Sequence, residues 1–310
     1  MRRTKNFLAV IILSLIFLIA LGISDPNTRD LFFGRGVLFN ADVKVFVLDV
    51  GQGDSILIKA FGRNVLIDAG PDKNLSADKI GSFGVKKLNF VIVTHPHSDH
   101  IDGMVRVIER YNPEYYLDPG IPHTSKTYKT LLDLVEKKQL KYIRPNGQTI
   151  HLQSAELYIF PLPDDIKSVN NGSVVSKLSY KDFGMLFLGD AELEEQSFLI
   201  KTDRDKLKSK VVKISHHGST SGTNQRLIDV VSPETAVISV GRDNPYGHPH
   251  REVIELLKKN SIRTYRTDRD GTVVILSNGS RYSVIREKGS VGERFLFFIL
   301  QLIEMIQGGI

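Results

Sequence analysis

The placement of histidine limits the fold of this 310-residue chain more than any other feature. Of nine histidines, all but His123 and His151 fall in three short segments: His95, His97 and His100; His216 and His217; His248 and His250. Each segment follows an apolar run of strand character, so the fold must bring the ends of separate strands together. Core packing alone would scatter these residues, whereas imidazoles grouped at strand ends are candidate metal ligands. Cysteine is absent, which excludes disulfide staples, thiolate metal sites and a cysteine nucleophile.

The first segment reads Thr94-His95-Pro96-His97-Ser98-Asp99-His100 and follows the apolar run Phe90–Val93. Residues two apart in an extended loop point the same way, so His95 and His97 can share one cation. Asp99 and His100 then face a second position as the chain turns into a helix. Imidazoles with a carboxylate suit Zn2+ or Mn2+, and these four groups are too many for one open catalytic site. His216 and His217 follow the strand Val211–Ile214. One of them completes the second metal set and the other donates a proton or binds an oxyanion; the sequence leaves open which. Asp68 ends a strand before Ala69-Gly70, and Asp190 ends the apolar strand Met185–Leu188. His248 is a ligand or an acid, while His250 and Glu192 open helices.

Strands are expected at Val43–Leu48, Ile56–Lys59, Val65–Ile67, Phe90–Thr94, Leu157–Phe160, Val174–Tyr180, Met185–Leu188, Val211–Ile214, Ala236–Val240, Arg263–Arg266 and Thr272–Leu276. Helical patterns fall at Ile101–Tyr111, Ser125–Lys138, Glu192–Ile200, Asn224–Val231 and His250–Lys259. Strands linked by tight turns, then strands alternating with helices, predict an α/β fold: a four-layer αββα sandwich of two sheets with helices outside. The body spans residues 43–285, after a linker over 25–42. Residues 1–24 carry Arg2, Arg3 and Lys5 before an apolar run, the pattern of a signal peptide or membrane anchor. The positive flank predicts an extracytoplasmic body, secreted or held at the membrane by that segment if it is uncleaved. Residues 286–310 read as an amphipathic helix packed on the body, its apolar run broken by Gln301 and Glu304.

His-x-His-x-Asp-His after a strand resembles the metallo-β-lactamase fold superfamily. Leu48-Asp49-Val50-Gly51-Gln52-Gly53-Asp54-Ser55, Leu66-Ile67-Asp68-Ala69-Gly70, Leu188-Gly189-Asp190-Ala191-Glu192 and Ser215-His216-His217-Gly218-Ser219 are similar to the C-terminal domain of the ComEC DNA-uptake proteins. The motifs occur in that family's order, but its membrane channel segments have no counterpart, so a translocating pore is not expected. The resemblance implies a hydrolase with two divalent metal ions, Zn2+ or Mn2+, and a hydroxide bridging them. It makes Asp190 the shared carboxylate and Asp68 an outer group orienting a ligand histidine. Asp99 and Asp190 then position the nucleophile, and His217 or His248 protonates the leaving group. Many relatives add a further histidine before the shared aspartate; here Asn170-Asn171-Gly172-Ser173 stands there, as in the ComEC-like group, so Asn170 and Ser173 are expected beside the metals. Poorer nitrogen ligation makes manganese more plausible than in the zinc lactamases.

Hydrophobic residues at 41% and charged residues at 25% exclude a disordered chain. A formal net charge of +6 leans towards polyanionic partners, so nucleic acid leads as the phosphodiester substrate. An envelope phosphodiester such as phosphorylcholine or teichoic acid, and a surface domain that binds polyanions without cutting them, are the alternatives. Arg263, Arg266, Arg269, Lys258 and Lys259 either bind phosphates or form a solvated face. No protein partner is predicted.

Overall fold

The computed structural model describes residues 41–309; the signal or anchor expected over 1–24 lies outside them, as does most of the linker. The chain lays down β1 (Val43–Val47), β2 (Ile56–Ala60), β3 (Arg63–Ile67), β4 (Phe90–Ile92), β5 (Tyr115–Leu117) and β6 (Lys141–Ile143). It continues with β7 (Gln148–Leu152), β8 (Ala155–Ile159), β9 (Ser176–Tyr180), β10 (Phe183–Phe187), β11 (Val211–Lys213), β12 (Thr235–Ile238) and β13 (Arg263–Arg266), then returns through β14 (Val273–Ser277) and β15 (Tyr282–Arg286). One sheet has the order β15-β14-β1-β2-β3-β4-β5-β6, the other β13-β12-β11-β10-β9-β8-β7. Both are mixed: β3 to β6 run parallel, as do β10 to β13.

Side chains alternate across each strand, and here both faces are covered. Val43, Val45 and Val47 of β1 point between the sheets, where they join Leu157, Leu178, Met185 and Phe187. Phe46 points outward into a second cluster with Ile80, Ile108, Leu131, Leu296 and Leu300. These come from the helices Leu75–Ser82, Met104–Tyr111, Lys126–Lys137 and Val291–Gln307. A third cluster seals the other sheet, pairing Leu186, Val212 and Ile238 with Leu199, Leu227 and Leu257. Each fully buried leucine contributes about 1.5–3 kcal/mol, so the four-layer sandwich follows from strands that are apolar on both faces.

Three differences from the sequence reading have local causes. The strands β5, β6, β7 and β15 were not anticipated; β5 and β6 are only three residues long, and β6 is mostly exposed. The single helix expected over 101–111 is broken into Ser98–Ile101 and Met104–Tyr111. Gly103 lies at the break, where a Cβ would stand 2.2 Å from the Ala69 carbonyl oxygen. Glu304 is no solvated interruption of the last helix. It is buried and paired with Lys44 and Lys59 from β1 and β2. Among the described residues, no helix is long and apolar enough to cross a membrane.

Candidate metal centre

Parallel strands end at one edge, and both sheets present that edge to the same pocket. Asp68 follows β3, the segment Thr94–His100 follows β4, Asp190 follows β10, and Ser215–His217 follows β11. The backbone then locks the loops together. Ala69 N–H donates to the His100 carbonyl at 2.8 Å, and His216 N–H to the Gly189 carbonyl at 3.1 Å. Gly53 approaches so near that a Cβ would sit 2.1 Å from the Asp99 carbonyl oxygen.

Two groups of donor atoms result, sharing Asp190. His95 Nε2 lies 3.0 Å from His97 Nδ1 and 3.6 Å from Asp190 Oδ2. His100 Nε2 lies 3.4 Å from Asp190 Oδ2 and 3.7 Å from Asp99 Oδ2. His217 Nε2 is 3.2 Å from Asp99 Oδ2 and 3.8 Å from Asp190 Oδ1. The far nitrogens of these rings are held by the protein. His100 Nδ1 meets Asp68 Oδ2 at 2.8 Å, His217 Nδ1 meets the Ser239 carbonyl at 3.0 Å, and His95 Nδ1 meets Thr94 Oγ1 at 3.1 Å. Asp68 also accepts from Thr94 N–H and Oγ1–H, at 2.8 and 2.7 Å.

This donor set fits divalent cations. His100 Nε2 and Asp190 Oδ1 are buried with no hydrogen-bond partner, although such atoms are nearly always paired. The buried groups also shift one another's ionisation. Burial disfavours charge on His100, yet Asp190, Asp68 and Asp99 hold it well above the ordinary imidazole value. Burial opposes ionisation of Asp190 too, but His100 and His217 keep it well below the carboxylate range. His217 is likewise raised: burial is overcome by Asp190 and Asp99. His95, through burial and the charge on His100, is lowered and neutral.

Residues 48–242 match the Metallo-beta-lactamase superfamily. The chain belongs to that superfamily. Among relatives, ComE operon protein 3 of Bacillus subtilis is 29% identical over 76% of this chain and 33% of its own length. Competence protein ComA of Neisseria gonorrhoeae is 27% identical over 75% of this chain and 32% of its own. The chain therefore spans about a third of the curated relatives it matches. The metallo-β-lactamase fold protein YhfI from Bacillus subtilis superposes with a TM-score of 0.53 at 12% identity, covering 75% of this chain and 98% of that one. The superfamily fold and the ComEC-type resemblance expected from the motifs both hold, and the fold implies divalent metal ions.

The two adjacent histidines that the sequence left undecided have different surroundings. His216 and His217 both take left-handed conformations, with φ of 47° and 53°. That backbone turns His217 inward to the carboxylates and leaves His216 at the rim. There its Nε2 is 3.8 Å from Asp190 Oδ2 and its Nδ1 is 3.4 Å from Glu192 Oε1. Ser173 Oγ accepts from Asp190 N–H at 3.1 Å, and Asn170 lines the pocket. His248 lines it as well, its imidazole pushed down to about 4 by burial and then by His216. His250 caps the helix Arg251–Lys259, and His151 sits exposed on β7 beside Glu156. Arg266 is tied to Asp268 rather than free for phosphate.

Three features escaped the sequence reading. His123, outside the three histidine segments, lines the pocket with its ring 6.3 Å from that of His97. It follows β5, the short strand that was not anticipated, and recognising that strand was the missing signal. Lys213 and Asp54 form a fully buried ion pair of 2.8 Å, with Asp54 Oδ1 only 3.6 Å from His217 Nδ1. Gln52 lines the pocket while its Oε1 accepts from Gly241 N–H at 3.1 Å, joining the first loop to the edge of the other sheet.

Proposed function

We propose that the chain is a binuclear metal-dependent hydrolase of phosphodiester bonds in nucleic acid, acting outside the cytoplasm. The observation that carries this reading is the convergence of Asp99, Asp190, His97 and His217 on one pocket of about 580 Å³, with His95 and His100 buried behind it against Asp190. His95, His97 and Asp190 would hold one cation; Asp99, His100, His217 and Asp190 the other, with Zn2+ and Mn2+ both suited to the donors. Such a pair, when bound, lowers the pKa of water and neutralises charge on a phosphoryl group.

The chain's own residues supply orientation. Asp68 and the Ser239 carbonyl fix which nitrogen of His100 and His217 faces the pocket. Asp99, with its side chain 29% exposed, is the carboxylate open to the cavity, placed to accept a hydrogen bond from the attacking water. His217 is committed to the carboxylates on one side and Ser239 on the other, so it is not the proton donor envisaged as one alternative. His248 is neutral near pH 7 and serves the leaving oxygen by hydrogen bonding rather than as an imidazolium. Through Asp102 and Thr127 the pocket joins a groove of about 380 Å³ bearing Lys73, Arg106 and Lys126, with Arg106 3.7 Å from Glu109. Cations along a groove that leads from the pocket favour an extended polyanion over a small, singly charged substrate such as a β-lactam.

The test is hydrolysis of single-stranded DNA, bis(p-nitrophenyl) phosphate and envelope phosphodiesters with Mn2+ or Zn2+, with and without EDTA. We expect metal-dependent cleavage of the first two, lost in His97→Ala. DNA retained but left uncut would replace the reading with polyanion binding. Turnover of teichoic acid or phosphorylcholine esters alone would move the substrate to the envelope.

A further inference from the structure

The segment Asn244-Pro245-Tyr246-Gly247-His248-Pro249 carries an aromatic ring that folding does not use. Tyr246 is 63% exposed, yet it lines the same pocket as the metal-binding side chains. One exposed aromatic side chain is ordinary by itself; this one stands at the mouth of the site with its ring open to whatever enters the pocket. Its ring stacks on His248, with centroids 5.7 Å apart and planes inclined by 25°. The imidazole of His248 in turn lies 5.5 Å from that of His216.

The ring is held in place. Asn244 Nδ2 donates to the Gly241 and His248 carbonyls, at 3.0 and 2.7 Å, and Asn244 Oδ1 accepts from His248 N–H at 3.0 Å. Gly247, at φ 68°, makes the left-handed turn between the two stacked rings. Such a loop is pre-organised, so a ligand meeting the ring has little ordering to do.

We propose that Tyr246, backed by His248, is a stacking platform for an unpaired base of single-stranded nucleic acid whose backbone crosses the metal pocket. This rests on the phosphodiesterase reading and narrows its substrate class. A flat ring lying against a second flat ring offers an aromatic face, and every base has one. Tyr246 is the one phenyl-type ring among the residues lining the pocket, whereas a choline headgroup is held in a cage of several such rings. Bases within a duplex are already stacked on each other, so the platform selects single strands.

The experiment compares two short strands made uncleavable by phosphorothioate linkages, one bearing bases and one fully abasic. Binding to the full chain is read by fluorescence anisotropy with Mn2+ present. Stacking of one base is worth about fivefold or more in affinity, so wild type should prefer the base-bearing strand by at least that factor. Tyr246→Ala should collapse the preference towards unity, and Tyr246→Phe should keep it. A preference unchanged in Tyr246→Ala, or lost equally in Tyr246→Phe, overturns the platform. So does a wild type that binds the two strands equally or neither. A Tyr246→Ala effect confined to glycerophosphocholine also overturns it, in favour of a choline site. Cleavage is not read here: DNA cut without the Tyr246 effect refutes only the platform, and the effect without cleavage refutes only the hydrolase.

Discussion

Two regions of this molecule bury carboxylates, and they do so in opposite ways. Glu304, on the last helix, is closed off between Lys44 and Lys59, while Lys59 also donates to the Phe83 carbonyl at 2.8 Å. Its counter-charges come from the chain itself, and no cavity adjoins it among those described. Asp190 is equally buried, but its Oδ1 and the neighbouring His100 Nε2 lack hydrogen-bond partners, and Asp190 lines a cavity. A structural ion cluster balances itself. A binding cluster leaves its charge balance to something that arrives later, and this is what distinguishes the two without any ligand in view.

That contrast can be broken first at its structural end. Glu304→Ala leaves two lysines uncompensated at the sheet surface. The expected loss is about 3 kcal/mol in urea unfolding, the low end for breaking a buried pair, because both lysines keep a route to water. Metal content of the folded fraction should not change; a variant that lost metal as well would show the regions to be coupled. At the binding end, cation removal should cost about 2.7 kcal/mol of stability when the metal had been present at 100 times its Kd. Thermal unfolding with and without EDTA checks this, and Asp190→Asn should show no difference between the two conditions. Next, Asp68→Asn should weaken metal affinity about 10- to 100-fold while leaving the fold intact, as measured by competition with a chelating dye. Equal affinity would remove Asp68 from the site.

The smallest effect concerns pH. Burial raises the carboxyl of Glu293, but its hydrogen bond to Arg286 at 2.8 Å outweighs this and leaves it below the ordinary glutamate value. A depressed folded pKa contributes stability above the unfolded pKa of about 4.3, and that contribution disappears as pH falls through the folded value. Glu293→Gln should therefore lose part of the stability at pH 7 and unfold with a flatter acid limb than wild type. Parallel acid limbs in the two proteins would contradict the sign.

Much of the site was legible because its ligands crowd into short stretches at strand ends. The His95–His100 segment announces itself, and Asp68 and Asp190 follow from the apolar strands that precede them. The choice between His216 and His217 was not legible, since it depends on two consecutive left-handed residues, a backbone state that neither side chain advertises. The Asp54–Lys213 pair was hidden for another reason: its members are far apart in sequence, and a lysine in an apolar strand looks like an edge residue. The same holds for Glu304, whose partners are contributed by the first two strands. Periodicity reports which face a residue occupies, but not what waits for it there.

The shared carboxylate Asp190 and the His95–His100 segment belong to different sheets and meet only when the sandwich closes. A chain that has not yet folded therefore carries these side chains in separate halves and cannot bring them onto one ion. The ions available where the sandwich closes decide which element it acquires.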